Sequence, residues 1–521
     1  MRGSTPPRVV IVGLDGADWS LLQPLFRDGA MPTLEAFVKG GASARLESVL
    51  PTNSIAAWTS LMTGVNPGKH GVFTFVRPSG TPFQTLVTNS TCIRFPTICE
   101  TLTGAGLRSC VVDMPPFYPP FEINGVMLGG MGALGPRVLS YPREVATTLV
   151  EKIGGYADDV AWMEYQGREP ALVQRLVGLT ENRLRVAEVI VDEQPFDLLC
   201  LVFVAADRLQ HPFCRDLLEG GPHYATARKL YVALDEVLGR LLEQIDTTQT
   251  DVLIVSDHGF RPVSKLVSVN QILTKAGLMR SNWTERLGGQ ALHLALRLPE
   301  SLQGRIFKFL EQARWGSQRR LLPGSAAYSD IADTVNVNLV GRESTGWVPD
   351  SEYEQMRDTV AAALTAYRDP ATGAAPVKRA VKREDYFRGP FASEAPDLVL
   401  EFQDGYAYSG EVGSALWGWR WLQGVHSRDG IIACLGPHFR QGAEAPAVSI
   451  LDVAPTVLSL LGVAPPADVD GRVADDLLAG PVPPERLPVP GPPQPREEPK
   501  AYSEEEEARI KERLRGLGYI E

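Results

Sequence analysis

Three acidic residues stand just past strand-like apolar runs. Asp15 follows RVVIVGL, Asp207 follows DLLCLVFVA, and Asp257 follows DVLIVS. If these runs are parallel strands of one sheet, their carboxyl ends share an edge, so the three carboxylates could converge there. Each residue taken alone is also explained by a helix cap or a turn, since both favour Asp. It is the convergence of all three that would make a functional site.

Two histidines stand close to these acids in sequence, and a third comes late in the chain. His211 lies four residues after Asp207, a spacing that puts both side chains on one face of a helical turn. His258 directly follows Asp257 in SDHG, whereas His426 lies in QGVHSRDG after a tryptophan-rich stretch. An exposed polar turn and a structural histidine are the alternatives. Carboxylates and imidazoles without a tetrathiolate pattern suit a divalent cation, with Zn²⁺ expected first and Mn²⁺ or Mg²⁺ as alternatives.

One hydroxyl, Ser54, stands in a Pro/Asn turn within the stretch Leu50–Gly71, LPTNSIAAWTSLMTGVNPGKHG. A serine in such a turn is ordinarily a helix N-cap. A bound metal can lower the pKa of a hydroxyl and activate it without a neighbouring base. Three acids and three histidines are enough ligands for two metals about 3.5–4 Å apart, which can clamp the oxygens of a phosphoryl transfer. Ser54 is therefore a candidate nucleophile.

Strand-like and helix-like segments alternate around these residues. The alternation predicts an α/β fold with a doubly wound, mostly parallel sheet flanked by helices. The predicted strands are Arg8–Leu14, Ser43–Val49, Arg108–Asp113, Val126–Gly130, Asp197–Ala205, Asp251–Ser256 and Gly430–Leu435. The predicted helices include Trp19–Arg27, Ile55–Met62, Arg94–Leu107, Pro142–Ile153, Glu169–Asp192, Ala227–Ile245, Leu287–Leu321 and Ser449–Leu461.

Composition divides the chain into four regions. Residues 1–260 and 421–478 carry the alternating pattern and are predicted to form the catalytic core. Residues 261–420 have fewer clean βα units, and we interpret them as an inserted cap over the site. The proline-rich stretch 479–500 is expected to be an extended linker. Residues 501–521 are predicted to form a C-terminal helix.

The C-terminal helix has its own start signal. Ser503 is followed three residues later by Glu506, the pattern of a capping box. The segment SEEEEARIKERL is rich in charge. Self-association or binding of a partner through this helix is one interpretation. A solvated helix packed loosely on the body is the other.

Charge and cysteine content limit the partners and the compartment. The 521 residues carry a formal net charge of −11, which argues against a nucleic-acid polymer as partner. A small phosphorylated substrate remains compatible, because a bound dication inverts the local field. The six cysteines form no CxxC pair, so reduced thiols are expected. No secretory signal pattern and no apolar run of about 18 residues is present, so we expect a cytoplasmic protein without a membrane span.

Taken in order, the motifs resemble the alkaline phosphatase superfamily. The branch they resemble most is the type I phosphodiesterase/nucleotide pyrophosphatase group, with its bacterial phosphohydrolase/phosphomutase-like members. The resemblance rests on GLDG at Asp15, PTNSIAAWTSLMTGVNPGKHGV around Ser54, D-x-x-x-H at Asp207 and His211, SDHG at Asp257, and GVH at His426.

The resemblance implies an alkaline phosphatase-like fold and a role for each matching residue. Ser54, where many relatives carry Thr, would attack phosphorus and form a covalent intermediate. One metal would be held by Asp15, Ser54, Asp257 and His258. The other metal would be held by Asp207, His211 and His426.

One position departs from the family pattern. Nucleotide pyrophosphatases carry an Asn that contacts a phosphate oxygen, soon after the His-Gly that follows the nucleophile helix, and here Phe75 stands in its place.

The expected activity is that of a metal-dependent phosphohydrolase, with phosphodiester cleavage favoured. A phosphomutase or phosphomonoesterase on the same core is the enzymatic alternative. A non-catalytic metal-binding or scaffold protein is the alternative from another class.

Overall fold

The computed structural model describes most of the chain. It covers residues 8–129, 140–282, 320–412, 414–419, 421–482 and 503–517, with four single positions at 287, 290, 291 and 294. The predicted helix Leu287–Leu321 and the predicted linker 479–500 lie for the most part outside the described residues. Within the described ranges, no helix combines the length and apolar character that a membrane crossing requires.

A large, mostly parallel sheet forms the centre of the fold. Its strands, in spatial order, are Ala443–Glu444, Ala42–Glu47, Asp429–Leu435, Thr250–Val255, Arg8–Leu14, Leu198–Phe203, Ser109–Val112, Gly125–Leu128 and Ser140–Tyr141, with Val448–Ser449 also paired to Ala42–Glu47. The run from Thr250–Val255 to Gly125–Leu128 is parallel throughout. Asp429–Leu435 is antiparallel to both of its neighbours. The predicted α/β class with a mostly parallel sheet is confirmed.

Helices cover the sheet, and its central strands are therefore buried. All residues of Leu198–Phe203 and all but the first of Arg8–Leu14 are buried, as their continuous apolar sequences predict. The helices associated with this sheet are Trp19–Arg27, Pro32–Gly40, Ser54–Thr63, Pro67–His70, Ile98–Gly104, Arg143–Ile153, Glu169–Glu193, Ala205–Glu219, Tyr224–Glu243 and Val453–Leu460.

Several predicted boundaries differ from the structure, and two of the differences have a clear local reason. The helix predicted to begin at Arg94 begins at Ile98, because Thr97 and Glu100 form a capping box there. The strand predicted to end at Ala205 ends at Phe203, and Ala205 opens the next helix. That short turn places Asp207 within the first turn of the helix.

Smaller sheets are built mainly from residues after 258. One consists of Gly405–Ser409, Gly259–Ser268, Leu416–Trp417 and Gly424–Ser427. Another consists of Ala327–Tyr328, Thr334–Val337, Leu398–Phe402 and Val377–Lys382. Among the residues of this part that the structure describes, the helices with defined bounds are Val269–Lys275, Tyr353–Ala366 and Arg383–Tyr386. Val76–Pro78 pairs with Thr85–Val87 in a separate hairpin.

The C-terminal helix spans Glu504–Gly516 and begins with the predicted capping box of Ser503 and Glu506. Its apolar side chains are buried in the main hydrophobic core of the chain, at Ile510, Leu514 and Leu517. The helix is therefore firmly packed, unlike the loosely packed helix of one interpretation. Because this apolar face is covered by the same chain, the structure gives no support to self-association through it.

Candidate active site

Three buried carboxylates converge at one edge of the central sheet. Asp15 and Asp207 are fully buried, and Asp257 is 1% exposed. They follow three adjacent parallel strands, Arg8–Leu14, Leu198–Phe203 and Thr250–Val255. Parallel neighbours end on the same side of a sheet, which explains why acids distant in sequence meet. The convergence predicted from the strand ends is present.

One group of candidate ligands consists of Asp15, Asp257 and His258. His258 Nε2 lies 3.2 Å from Asp257 Oδ2 and 3.8 Å from Asp15 Oδ1. The other oxygen of each carboxylate is held by a donor. Gly16 N donates to Asp257 Oδ1 at 3.2 Å, and Trp58 Nε1 donates to Asp15 Oδ2 at 3.3 Å. Each carboxylate thus presents one oxygen to the same small volume.

Trp58 can reach Asp15 because residue 13 is a glycine. A Cβ atom on Gly13 would lie 2.5 Å from Trp58 Cη2, closer than real Cβ contacts allow. The indole is fully buried, and its only polar atom points at the carboxylate. The glycine that precedes the strand end therefore contributes to the geometry of the site.

Ser54 is the first residue of its helix, and it is not the cap. Asn53 takes that role, and its side chain accepts a hydrogen bond from Ala56 N at 3.1 Å. The Ser54 hydroxyl instead lies 3.2 Å from His258 Nε2. The helix-cap interpretation of Ser54 is thus wrong, because the preceding residue already satisfies the helix terminus. Its hydroxyl faces the first group of ligands.

A second group surrounds Asp207. His426 Nε2 lies 3.2 Å from Asp207 Oδ1, and His211 Nε2 lies 3.7 Å from Asp207 Oδ2. His426 reaches the site because its strand pairs antiparallel with the one that follows His258, with Phe260 opposite His426. The rings of His258 and His426 stack with their centroids 3.8 Å apart. The two groups are therefore immediate neighbours.

The tightest clusters differ slightly from the ligand sets that the resemblance implies. Asp15, Asp257 and His258 place one ligand atom each within 4.8 Å of one another, and so do Asp207, His258 and His426. His211 stands farther out, with its ring centroid 5.2 Å from that of His426. His258 thus lies between the two groups.

The three site histidines share one arrangement. In each, Nδ1 lies 3.2 Å from a backbone carbonyl oxygen: Gly424 O for His211, Gly259 O for His258 and Thr52 O for His426. A carbonyl can only accept, so in the neutral form of each ring Nδ1 carries the proton and Nε2 keeps its lone pair. Metal-ligating histidines typically have such a partner, which fixes the tautomer and the ring plane.

Burial and mutual repulsion shift the pKa values of these groups. Burial, with the charges of Asp257 and Asp207, raises the pKa of Asp15 well above its ordinary value. Burial, with the charge of Asp207, raises the pKa of Asp257 to about 7. Burial lowers the pKa of His211 to about 4 and that of His258 well below its usual value. Both imidazoles are therefore neutral near pH 7, as metal ligation requires.

The donor atoms fit divalent cations. Among the described residues, Asp15 Oδ1, Asp257 Oδ2 and His211 Nε2 are buried atoms that make no hydrogen bond. Buried polar atoms are ordinarily paired, so such atoms in both ligand groups indicate that something else binds there. Buried carboxylate oxygens beside neutral imidazole nitrogens are ligands for Zn²⁺ or Mn²⁺.

Other positions singled out from the sequence lie away from the metal groups. Phe75 is 4% exposed and belongs to the main hydrophobic core, so it presents no polar group to a substrate. His70 bonds Ser60, and His438 bonds Asp251 at 2.7 Å. His223 packs against an aromatic ring, and His293 lies outside the described residues.

Sequence reasoning missed Arg208. This arginine is fully buried and bonds Asp207 Oδ2. An arginine next to a predicted ligand, shortly after the apolar run DLLCLVFVA, was the available signal. A buried guanidinium needs a carboxylate partner, and the neighbouring ligand supplies one.

Comparison with known proteins agrees with this geometry. Residues 9–429 match the family described as type I phosphodiesterase / nucleotide pyrophosphatase. The search of curated proteins finds no match. Solved structures of similar fold include human ectonucleotide pyrophosphatase / phosphodiesterase 5, at 15% identity, and the murine protein in an inactive form in complex with AMP, at 14% identity. Both have a TM-score of 0.54 and cover 91% of this chain and 100% of their own. The match extends over most of the chain, which belongs to the type I phosphodiesterase/nucleotide pyrophosphatase family and is a hydrolase of phosphoric ester bonds.

Proposed function

We propose that the chain is a two-metal phosphodiesterase that cleaves its substrate through a covalent intermediate on Ser54. The observation that carries the proposal is the position of the Ser54 hydroxyl, 3.2 Å from His258 Nε2 and beside three buried carboxylates. One metal is assigned to Asp15, Ser54, Asp257 and His258, and the other to Asp207, His211 and His426. When bound, the dications supply Lewis acidity that lowers the pKa of the hydroxyl and offsets phosphoryl charge. Zn²⁺ is proposed first, with Mn²⁺ and Mg²⁺ as alternatives.

The residues of the chain orient the reaction. Ser54 Oγ attacks phosphorus and loses its proton to solvent while the bond to the leaving oxygen breaks, and that oxygen takes a proton from water. Attack by water on the phosphorylated serine then releases the product and restores the hydroxyl. Ser54 opens a ten-residue helix, so the positive end of the helix dipole favours the phosphate anion at this point.

The region 261–420 is proposed to shape the pocket for the rest of the substrate. Leu50 N donates to Tyr386 Oη at 2.8 Å, and the Phe73 and Phe387 rings meet edge to face at 5.1 Å. These contacts join the region to the loops on both sides of the nucleophile helix.

The AMP in the murine relative supports a nucleotide as the substrate class. The six cysteines are unbridged thiols, which supports a reducing compartment such as the cytoplasm.

Phe75 favours a second candidate. A buried phenyl ring cannot donate to the phosphate oxygen that Asn contacts in nucleotide pyrophosphatases. A phosphomonoesterase or a phosphomutase that uses the same Ser54 is therefore the alternative. A mutase would return the phosphoryl group to its substrate instead of releasing it to water.

The test is a substrate panel on metal-depleted protein reloaded with Zn²⁺, Mn²⁺ or Mg²⁺. Bis-p-nitrophenyl phosphate, p-nitrophenyl phosphate, a dinucleotide and a phosphosugar cover the candidate classes. We expect diesters and dinucleotides to be cleaved fastest. Faster monoester cleavage, or phosphosugar isomerisation without phosphate release, would select the second candidate. Metal analysis that finds fewer than two ions per chain would contradict the two-metal centre.

A further inference from the structure

His211 is held in place by aromatic side chains on two sides. The Trp162 ring stacks on it with the centroids 5.1 Å apart and the planes 14° from parallel. Phe260 meets it edge to face, with the centroids 5.0 Å apart. Trp162 is fully buried. The ring plane of His211, and hence the direction of its Nε2 lone pair, is set by Trp162 together with the contact between Nδ1 and Gly424 O.

The end of the C-terminal helix fixes Trp162. Trp162 Nε1 donates to Leu517 O at 2.9 Å. Gly516 lies against the neighbouring Ala161, since a Cβ added to Gly516 would come within 2.9 Å of Ala161 Cβ. The last turn of this helix therefore packs against the segment that carries Trp162.

A second set of contacts connects Asp207 to Asp159 through the buried side chain of Arg208. Arg208 bonds Asp207 Oδ2 and also donates to both oxygens of Asp159, at 3.1 Å from Nε and 2.7 Å from Nη2. Because Oδ2 of Asp207 is bonded to the guanidinium, Oδ1 is the oxygen that faces His426. Arg208 thus sets the orientation of the carboxylate and is itself oriented by Asp159.

Asp159 lies three residues before Trp162, in the segment of residues 156–165 against which the end of the C-terminal helix packs. Burial acts to raise the pKa of Asp159, but the charges of Arg208 and Arg513 lower it overall. Arg513 lies on the helix between the buried residues Ile510 and Leu517. The end of the helix therefore contacts the segment that holds Arg208, through Leu517 O and Gly516, and the charge of Arg513 acts on Asp159 of the same segment.

The helix is also tied to the body on its other side. Glu507 Oε1 accepts a hydrogen bond from Val87 N at 3.2 Å, and Lys511 Nζ donates to Thr85 O. These contacts lie on the hairpin Val76–Val87, and not on the segment that carries Trp162 and Asp159. They hold the helix in position independently of its contacts with Trp162 and Asp159.

We propose that the C-terminal helix Glu504–Gly516 is a positioning element for one metal of the centre. It acts on His211 through Trp162, and on Asp207 through Asp159 and Arg208. This inference rests on the proposed two-metal function. The other metal group is oriented by Gly16 N and Trp58 instead, so the effect of the helix is selective.

The test compares two arginines on the same helix. Arg513→Gln removes the cation that acts on Asp159, and Arg509→Gln removes an exposed cation one turn earlier. Trp162→Phe keeps an aromatic ring beside His211 but removes the donor to Leu517 O. Zn²⁺ is titrated into each metal-depleted protein by calorimetry with a competing chelator, which resolves the two binding constants.

We expect Arg513→Gln and Trp162→Phe to weaken one Zn²⁺ constant by about 10-fold or more, as loss of an outer contact does, and to leave the other unchanged. Arg509→Gln should match the wild type. Unchanged constants in both Arg513→Gln and Trp162→Phe would overturn the inference. Equal weakening of both metals would also overturn it, because that result indicates general loosening of the fold. If the wild type binds fewer than two Zn²⁺, the proposed function itself fails.

Discussion

Ser54 Oγ lies 3.2 Å from His258 Nε2, although 204 positions separate the two residues in the chain. The contact joins the first residue of one helix to the loop after a central strand. It brings a hydroxyl to the atom of His258 that also faces Asp15 and Asp257. Because of this contact, we propose Ser54 as the nucleophile, although a serine in such a turn is ordinarily a helix cap.

Replacement of that hydroxyl should abolish turnover. We expect Ser54→Ala to lower kcat on a phosphodiester by about 10³-fold or more, because no other group replaces the attacking oxygen. Ser54→Thr keeps a hydroxyl and should keep activity. Ser60→Ala is the matched control, since Ser60 lies on the same helix and bonds His70 at 2.9 Å, away from the ligands. It should lose about 1 kcal/mol of stability and keep kcat. Full activity in Ser54→Ala with metals bound would refute the assignment.

Loss of a ligand should reduce metal content. His426→Ala removes the imidazole 3.2 Å from Asp207 Oδ1, and we expect one of the two metals to be lost and activity to fall by at least about 100-fold. His438→Ala is the control, because His438 bonds Asp251 and not a candidate ligand. Metal content by mass spectrometry after dialysis checks both variants. Two retained metals in His426→Ala would exclude that histidine as a ligand.

Metal removal should make stability depend on pH in a defined direction. Burial raises the pKa of Asp257 to about 7, above its ordinary value of 3.8. Between these two values the folded, metal-free protein binds more protons than the unfolded chain. As far as Asp257 is concerned, the stability of the metal-free protein is therefore highest below about pH 4 and falls as the pH rises to about 7.

Thermal unfolding of the chelated protein between pH 6.5 and 8 measures that slope, because above about pH 6.5 the lowered pKa values of His211 and His258 no longer add a slope of opposite sign. Bound dications keep the carboxylates ionised, so the metal-loaded protein should lack this decline. The difference in Tm between loaded and chelated protein should therefore widen as pH rises. A Tm that rises with pH in the chelated protein but not in the loaded one would contradict the raised pKa of Asp257.

The C-terminal helix should contribute to stability through its buried face. Leu514 is 4% exposed in the main core, and Leu514→Ala should lower the free energy of unfolding by about 2–4 kcal/mol. Glu512→Ala, on the exposed face of the same helix, should change it by less than about 0.5 kcal/mol. Denaturant unfolding measures both variants. Equal effects would show that the helix does not pack as the structure describes.

Several features could be predicted from the sequence because they are encoded locally. Continuous apolar runs predicted the strand Arg8–Leu14 and, with the wider bounds Asp197–Ala205, the strand Leu198–Phe203. The parallel arrangement of such strands implied that the acids at their ends would meet. The capping box at Ser503 and Glu506 was also predictable, since its two residues are three positions apart. Periodicity and capping depend on neighbours in the chain, so they can be inferred without a structure.

Other features follow from contacts that no local pattern encodes. The sequence identifies the acids, histidines and hydroxyl of the site and the order in which they occur. Only the tertiary structure decides that His258 lies between the two ligand groups, that Arg208 occupies one oxygen of Asp207, and that Trp162 joins His211 to the C-terminal helix. The physical reason is that orientation of a buried side chain is set by close packing and hydrogen bonds with residues hundreds of positions away.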